Sequence, residues 1–373
     1  MKDLVLLAEN AIGLSDPNPR VACRILTQSG QVFDGHTQQA GGPHAEVMAL
    51  RAAQAAGADL TGATVWVTLE PCSHHGRTPP CCDALVAAGV GRVIVALRDP
   101  NPRVAGQGLE RLRTAGIAVE LMPPNDPDAI AARELNIGFI SRMVRGLPWV
   151  RMKIAASLDG TTALHNGVSQ WITGPEARAD GHAWRKRAGA ILTGIGTVQE
   201  DDPRLDVRLG DTHVQPLRVV VDSRLELDPT ARIVQPPGRV LVYTTADPQA
   251  SGAKRDALAA KGVTVVDCTP PGLPPGAAAK VDLPAMLRDL ARREVNELHV
   301  EAGHKLNGSF LREGLVDELL LYLAPKLLGP GAGLANIGPF AELTQGLAFD
   351  FMEATAVGPD LRLRARPPGR ADF

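Results

Sequence analysis

Apolar and polar residues follow two different rhythms along this chain. Residues 21 to 36, VACRILTQ then QVFDGH, read as two short strands broken at Ser29-Gly30, the pattern of a β-hairpin. From Ala45 to Ala56 the spacing becomes helical, opened by Pro43 and closed near Gly57. The continuous apolar runs ATVWVTL and RVIVALRD predict buried strands, with a helix from Cys82 to Ala88 between them. Strands alternating with helices in this way predict a layered α/β domain. Further on, MPPNDPDAIAARELNIGFISRMVRGLPWV holds a helix ending near Arg145, and VRMKIAASLDG begins a fresh strand after Gly146 and Pro148. The boundary is therefore expected near residue 147, giving domains 1–146 and 147–373. In the second, AGAILTG, PLRVVVDS, RVLVYTT, VTVVDC and NELHVEAG predict strands of another α/β unit, and CTPPGLPPGAAAK an exposed loop. Neither a solenoid repeat nor a coiled-coil heptad is visible.

Composition narrows the class of partner. At 373 residues the chain is long for one core, in line with two domains. Aromatic residues make up only 3%, so Ala, Val and Leu must fill most of the interior. A net charge of -2 with no basic tail offers no footprint for DNA or RNA, which favours a small-molecule partner. The opening MKDLVLLAENAIGL is too short and too interrupted by polar side chains for a signal peptide or membrane span, so the expectation is a cytoplasmic protein with no membrane partner. A homo-oligomer is expected.

Chemistry concentrates at the cysteines. Three of five stand at positions 72, 81 and 82, a clustering that suits a metal site rather than a secreted disulfide framework. Cys23 and Cys268 end or interrupt apolar runs and read as packing residues. A zinc ion that does chemistry takes three protein ligands and keeps a fourth position for water. His44, Cys72 and one of the pair Cys81 and Cys82 supply three; Cys81, entering the helix after Pro79-Pro80, is favoured, but spacing alone does not decide. Glu46 follows His44 by two residues at the helix start, placed to carry a proton to or from water on the metal. Zinc nucleobase deaminases carry H-x-E followed by P-C-x-x-C. His44-Ala45-Glu46 and Pro71-Cys72 fit, whereas nine positions separate Cys72 from Cys81 and SHHGRTPP must loop out between them. The competing reading is a closed structural site with His74 or His75 as fourth ligand.

Taken together, DPNPRVAC, HAEV, TLEPCSHHGRTPPCCDAL, DPNPRVAG, MKIAASLDG, SQWIT, TVQEDDPRLDVR, VVVDS, VEAG and DELLLYLAPKLLG resemble the bifunctional riboflavin-biosynthesis deaminase-reductases over nearly the whole chain. The resemblance implies a cytidine-deaminase-like zinc domain followed by a dihydrofolate-reductase-like domain. The first would hydrolyse an exocyclic amino group of a phosphoribosyl diaminopyrimidinone. The second would use NADPH to reduce the ribose of the product to a ribityl chain. By motif position, zinc falls on His44, Cys72 and Cys81, Glu46 is the proton shuttle, and Asn18 contacts the base. Arg77, in the inserted loop, would be a partner for the substrate phosphate, a guanidinium offering a bidentate fork. Two positions depart from the family: Ala22 where glycine is usual, and Thr37 where a histidine is expected, with His36 one residue away and on the other face of a strand.

For the reductase half, no G-x-G-x-x-G links a strand to a helix, so a dinucleotide-binding Rossmann unit is not indicated. The resemblance implies an NADPH site lined by Ala155, Trp171, Thr197 and Asp201, with Ser223 at the adenosine end. Gly303, His304, Lys305, Leu306, Asn307, Gly308 and Ser309 would lie at the phosphates, at the start of a helix. Ser169, Arg185, Leu205, Arg208 and Glu301 would face the substrate, the two arginines being suited to its phosphate. Lys153 and Glu301 are the ionisable candidates for proton transfer, and Asp159 is a candidate turn cap.

Overall fold

A computed structural model describes residues 1–73, 79–101, 105–210, 212, 214–235, 237–273 and 279–372. They form two compact units, Met1–Gly146 and Leu147–Phe373.

In the first unit β1 (Ala22–Leu26), β2 (Val32–His36), β3 (Thr64–Val67), β4 (Arg92–Val95) and β5 (Ala118–Leu121) form one sheet in the order β2-β1-β3-β4-β5. β1 is antiparallel to β2 and β3, while β3, β4 and β5 run parallel. Its helices are α1 (Lys2–Ala8), α2 (Ala45–Ala55), α3 (Cys81–Ala87), α4 (Gln107–Thr114), α5 (Pro127–Leu135) and α6 (Ile137–Arg145). The period of two along each strand decides which helix lies where. Ala22 and Trp66 face α1 and α5, packing with Leu4, Val5, Ala8, Ala132 and Leu135. Cys23 and Ile25, paired with Val67 and Val65, point to the opposite face. There Gly35, the partner of Cys23, lets α2 touch the sheet: a Cβ on Gly35 would lie 2.4 Å from the Ala45 carbonyl oxygen. Both faces are thus covered.

The second unit contains β6 (Trp149–Ser157), β7 (Ala163–Leu164), β8 (Ala190–Gly194), β9 (Leu217–Val221), β10 (Val240–Thr244), β11 (Val263–Asp267), β12 (Glu297–Val300), β13 (Glu318–Ala324), β14 (Gly331–Ala332), β15 (Asp350–Val357) and β16 (Asp360–Arg366). Nine of these form a sheet in the order β11-β10-β9-β8-β12-β6-β13-β16-β15, and β7 pairs with β14 apart from it. From β11 to β13 every pairing is parallel. The β15-β16 hairpin adds antiparallel strands at one edge. The helices are α7 (Pro175–Arg187), α8 (Ile195–Asp201), α9 (Gly252–Ala259), α10 (Leu283–Arg292) and α11 (His304–Arg312). Apolar clusters form on the sheet, one joining Met286, Leu287, Leu290 and Phe310 to Leu192, Leu298 and Val300. Another joins Ile191, Val220 and Val242 to Leu258 of α9. No helix among the described residues is long and apolar enough to cross a membrane.

Candidate active sites

In the first unit, three ligand atoms converge. His44 caps α2 in extended backbone geometry, and its side chain makes no capping bond, which leaves the imidazole for other partners. Its Nδ1 lies 3.6 Å from Cys72 Sγ and 3.4 Å from Cys81 Sγ, and all three ligand atoms fall within 4.8 Å of one another. Ligands at zinc bonding distances in a tetrahedron stand roughly 3.3–3.8 Å apart, so the donor set fits a zinc ion. Cys81 is the first residue of α3, and its backbone N–H donates to Cys72 Sγ at 3.3 Å. The Cys72 thiol is pulled down to about 4, first by the Cys81 thiol donating to it, with His44 and that N–H adding to the effect.

Glu46 sits in the first turn of α2 and is only 4% exposed. Burial pushes its carboxyl up to about 7, with the charge of Cys72 adding to the rise. A buried carboxyl that titrates near neutrality beside a metal-ligand cluster is suited to taking and returning one proton. Cys82, by contrast, turns away: its thiol donates to the carbonyls of Pro71 at 3.2 Å and Gly108 at 3.6 Å. Burial pushes that thiol up to about 12.

Two residues that the sequence reading did not single out support this corner. Glu70 is buried, and its carboxylate accepts from the N–H groups of Asp99, Gly106 and Gly108, fixing the loop that carries Cys72 against the start of α4. Asp99 is also buried, its carboxyl raised to about 7 by burial, with the charges of Glu70 and Cys72 contributing. The signal for Asp99 was present as a repeat, since Asp-Pro-Asn-Pro occurs at 16–19 and again at 99–102.

Other positions fall elsewhere. Asn18 ends a turn in which its N–H donates to the Ser15 carbonyl at 2.8 Å, ahead of β1. Arg77, His74 and His75 lie outside the described residues. Thr37 is buried and joins the sheet end, its hydroxyl accepting from Val21 N–H at 3.2 Å. Ala22 is fully buried and exchanges hydrogen bonds with Thr68, which leaves its methyl against α1 and α5.

In the second unit a cleft of about 1670 Å³ opens. Its walls include residues at or just beyond the carboxyl ends of β8, β9 and β12, where open parallel sheets bind ligands. Lys153, Ala155, Ser169, Trp171, Arg185, Thr197, Asp201, Leu205, Arg208, Ser223 and Glu301 all line it, as do Gly303, His304, Lys305, Leu306, Asn307 and Ser309. Gly308 is not among these lining residues: it faces the Asn336 backbone, where a Cβ would lie 2.1 Å from the carbonyl oxygen, so its glycine serves close packing of α11. Trp171 is 65% exposed beneath the Arg178 guanidinium, hence no core residue. Asp159 does not cap its own turn: its carboxylate accepts from the distant N–H groups of Leu328, at 3.1 Å, and Gly329, at 2.8 Å, and so ties that turn to the segment after β13.

Charge is organised around Glu301. Arg185 grips its carboxylate with two hydrogen bonds, of 2.5 and 2.9 Å. Burial alone would raise the Glu301 pKa, but Arg185 and Lys153 hold it well below the usual range. Lys153 shares the cleft, and burial lowers its ammonium pKa against the pull of Glu301.

A helix-borne His-x-Glu beside two thiols on a mixed sheet, joined in one chain to a cleft at the ends of a parallel sheet, defines a metal-dependent deaminase fused to a reductase. Residues 1–97 match the cytidine and deoxycytidylate deaminase zinc-binding region, and residues 148–363 match the RibD C-terminal domain. The chain is 44% identical to the riboflavin biosynthesis protein RibD of Escherichia coli, over 96% of this chain and 95% of that one. It is 37% identical to the protein of the same name from Bacillus amyloliquefaciens, over 100% of this chain and 96% of that one. Among solved structures, Acinetobacter baumannii RibD superposes with a TM-score of 0.86 at 40% identity, covering 98% of this chain and 97% of that one. A Thermotoga maritima diaminohydroxyphosphoribosylaminopyrimidine deaminase/5-amino-6-(5-phosphoribosylamino)uracil reductase does so with a TM-score of 0.83 at 31% identity, over the same shares. The chain belongs to the RibD family of bifunctional riboflavin-biosynthesis enzymes, with a zinc-dependent deaminase and an NADPH-dependent reductase.

Proposed function

We propose that residues 1–146 convert 2,5-diamino-6-(5-phosphoribosylamino)pyrimidin-4-one to 5-amino-6-(5-phosphoribosylamino)uracil and ammonia, and that residues 147–373 reduce the ribose of that product to a ribityl chain. The observation that carries the first half is buried Glu46 beside the cluster of His44, Cys72 and Cys81. Those three side chains hold the zinc, which when bound supplies an activated water near neutral pH. Glu46 accepts the proton that the nucleophile loses and returns it to the departing amino group. Asn18 holds the base and Arg77 the phosphate.

In the second half the cleft takes NADPH and the phosphoribosyl product together. Ala155, Trp171, Thr197, Asp201, Ser223 and the start of α11 hold the cofactor, which supplies a hydride to C1 of the opened sugar. Ser169, Arg185, Leu205, Arg208 and Glu301 position the substrate, Arg185 through its grip on Glu301, and Lys153 delivers the accompanying proton. The lowered pKa of Lys153 supports this role, because an ammonium made more acidic gives up its proton more readily.

Cysteines gathered at a zinc site instead of in disulfide pairs support a cytoplasmic setting, where thiols stay reduced. Exposed Leu343, Leu347, Phe351 and Met352, in and before edge strand β15, support a homo-oligomer. The test is ammonia release and NADPH oxidation by the zinc-loaded full chain given the diaminopyrimidinone phosphate. Wild type is expected to do both, and Glu46→Gln to release no ammonia while retaining its zinc. Equal ammonia release by the two proteins overturns the deaminase assignment.

A further inference from the structure

The contacts of His182 do not balance. It stands on α7 one turn before Arg185 and lines the reductase cleft. Its Nδ1 accepts from the backbone N–H of Arg208 at 3.3 Å, and its Nε2 lies 3.1 Å from Nη2 of the same arginine. A backbone amide and a guanidinium both present hydrogens and no lone pair, whereas a neutral imidazole has one lone pair and one N–H. One of the two contacts must therefore set hydrogen against hydrogen. The amide is fixed by the chain, while the Arg208 side chain is 57% exposed and reaches Asp206 Oδ1 at 3.4 Å. The tautomer that keeps the amide bond puts its hydrogen on Nε2. Two donors then converge on one point of the cleft, an arrangement that an anionic oxygen between them turns from repulsive to favourable.

Charge nearby points to the same ligand. The groups facing His182 are Arg185 and Arg208 on the cationic side and Glu301 and Asp206 on the anionic side. Arg185 is already committed, with two hydrogen bonds to Glu301 and a third to the Asp206 carbonyl at 3.0 Å. Asp206 is also paired with Arg204 at 2.8 Å. Arg208 is the cation with capacity left for a ligand, and His182 is the donor beside it.

From this geometry we infer that His182 Nε2–H and the Arg208 guanidinium together bind the phosphate monoester of the reductase substrate, with Arg185 acting as the positioning residue of Glu301 instead of a phosphate ligand. The inference rests on the proposed reductase reaction. It also separates two phosphate sources, since NADPH carries a monoester of its own.

The test uses the full chain and NADPH oxidation, with the phosphoribosylaminouracil and its dephosphorylated counterpart as substrates, for wild type, His182→Leu and His182→Gln. With His182→Leu, KM for the phosphorylated substrate is expected to rise about 10- to 100-fold, the loss of one hydrogen bond to a charged group. KM for the dephosphorylated substrate, kcat and the Kd for NADPH should stay at wild-type values. His182→Gln, whose amide N–H also donates, should recover most of the loss. An equal rise for both substrates makes His182 structural and overturns the inference, as does no change in any constant. A weakened Kd for NADPH with substrate KM unchanged overturns it in favour of the cofactor's phosphate. Failure of the wild type to reduce either substrate sinks the reductase reading itself, and this inference with it, a result distinct from the others.

Discussion

At the scale of single residues, adjacent cysteines show both what sequence carries and where it stops. The spacing around Pro71-Cys72 names three ligands but leaves Cys81 and Cys82 open, because both begin one helix. The structure separates them by direction: Cys81 faces His44, and Cys82 donates to the Pro71 and Gly108 carbonyls. Cys81→Ser is therefore expected to lose the zinc and all ammonia release. Cys82→Ser should keep both, since a hydroxyl can serve the same two carbonyls, with a stability change of at most about 1–2 kcal/mol. Metal analysis of the two purified proteins checks this, and zinc loss from Cys82→Ser alone would reverse the assignment. Asp99 was missed for a related reason: its sequence signal is a short repeat, and only burial beside Glu70 and Cys72 makes it chemical.

Elements were legible where one face is buried and harder to read where it is not. The hairpin, α2 and the apolar strands of both sheets follow from periodicity, whereas β15, whose residues are mostly exposed, left no such trace. Sheet order was not legible either, because it depends on long-range pairing. One consequence lies at Gly35, where α2 meets β2 at backbone contact. Gly35→Ala forces a Cβ onto the Ala45 carbonyl and so displaces the turn that presents His44 and Glu46. It should cost about 1–3 kcal/mol or more in the first unit, as overpacking does, and weaken zinc binding, measured by unfolding and metal titration. Another lies in the charged seam across β6, β12, β13 and β16. Arg151 is buried between Glu297 and Glu318 at 2.6 Å each, and Arg366 adds a bond to Glu318 at 2.7 Å. Burial would raise the Glu318 pKa, but Arg151, Arg364 and Arg366 hold it far below its unfolded value of about 4.3. With the folded pKa depressed, its stabilisation is complete above about pH 5 and is lost as pH falls through and below about 4. Glu318→Gln should destabilise the second unit by about 3 kcal/mol or more at pH 7, because it removes the buried carboxylate that Arg151, Arg364 and Arg366 share. The gap to wild type should narrow by pH 3.5; a constant gap in denaturant titrations at both pH values counts against the electrostatic origin.

For the whole molecule, the physical question is whether two chemistries on one chain depend on one another. Each unit has its own sheet and buried core, α6 ends at Gly146 in left-handed geometry, and β6 starts at Trp149. The ligand set of the first unit comes from residues 44–81, and every residue lining the cleft of the second lies between Lys153 and Ala332. Among the described residues no side chain is shared, so chelating the zinc should abolish ammonia release and leave NADPH oxidation intact when the aminouracil is supplied directly. The same independence predicts complementation. A chain carrying Glu46→Gln reduces without deaminating, and one carrying Glu301→Gln deaminates while its reductase site, with Arg185 left unpaired, is disabled. Mixed in equal amounts with the diaminopyrimidinone phosphate, zinc and NADPH, the two variants should together form the ribityl product, because the intermediate is a small anion free to diffuse from one chain to the other. Product should appear after a lag that shortens as protein concentration rises, since the intermediate must first build up in solution. If ammonia is released but no ribityl product forms at any protein concentration, the intermediate does not leave the chain that made it, and the two sites are coupled by something their separate ligand sets do not contain.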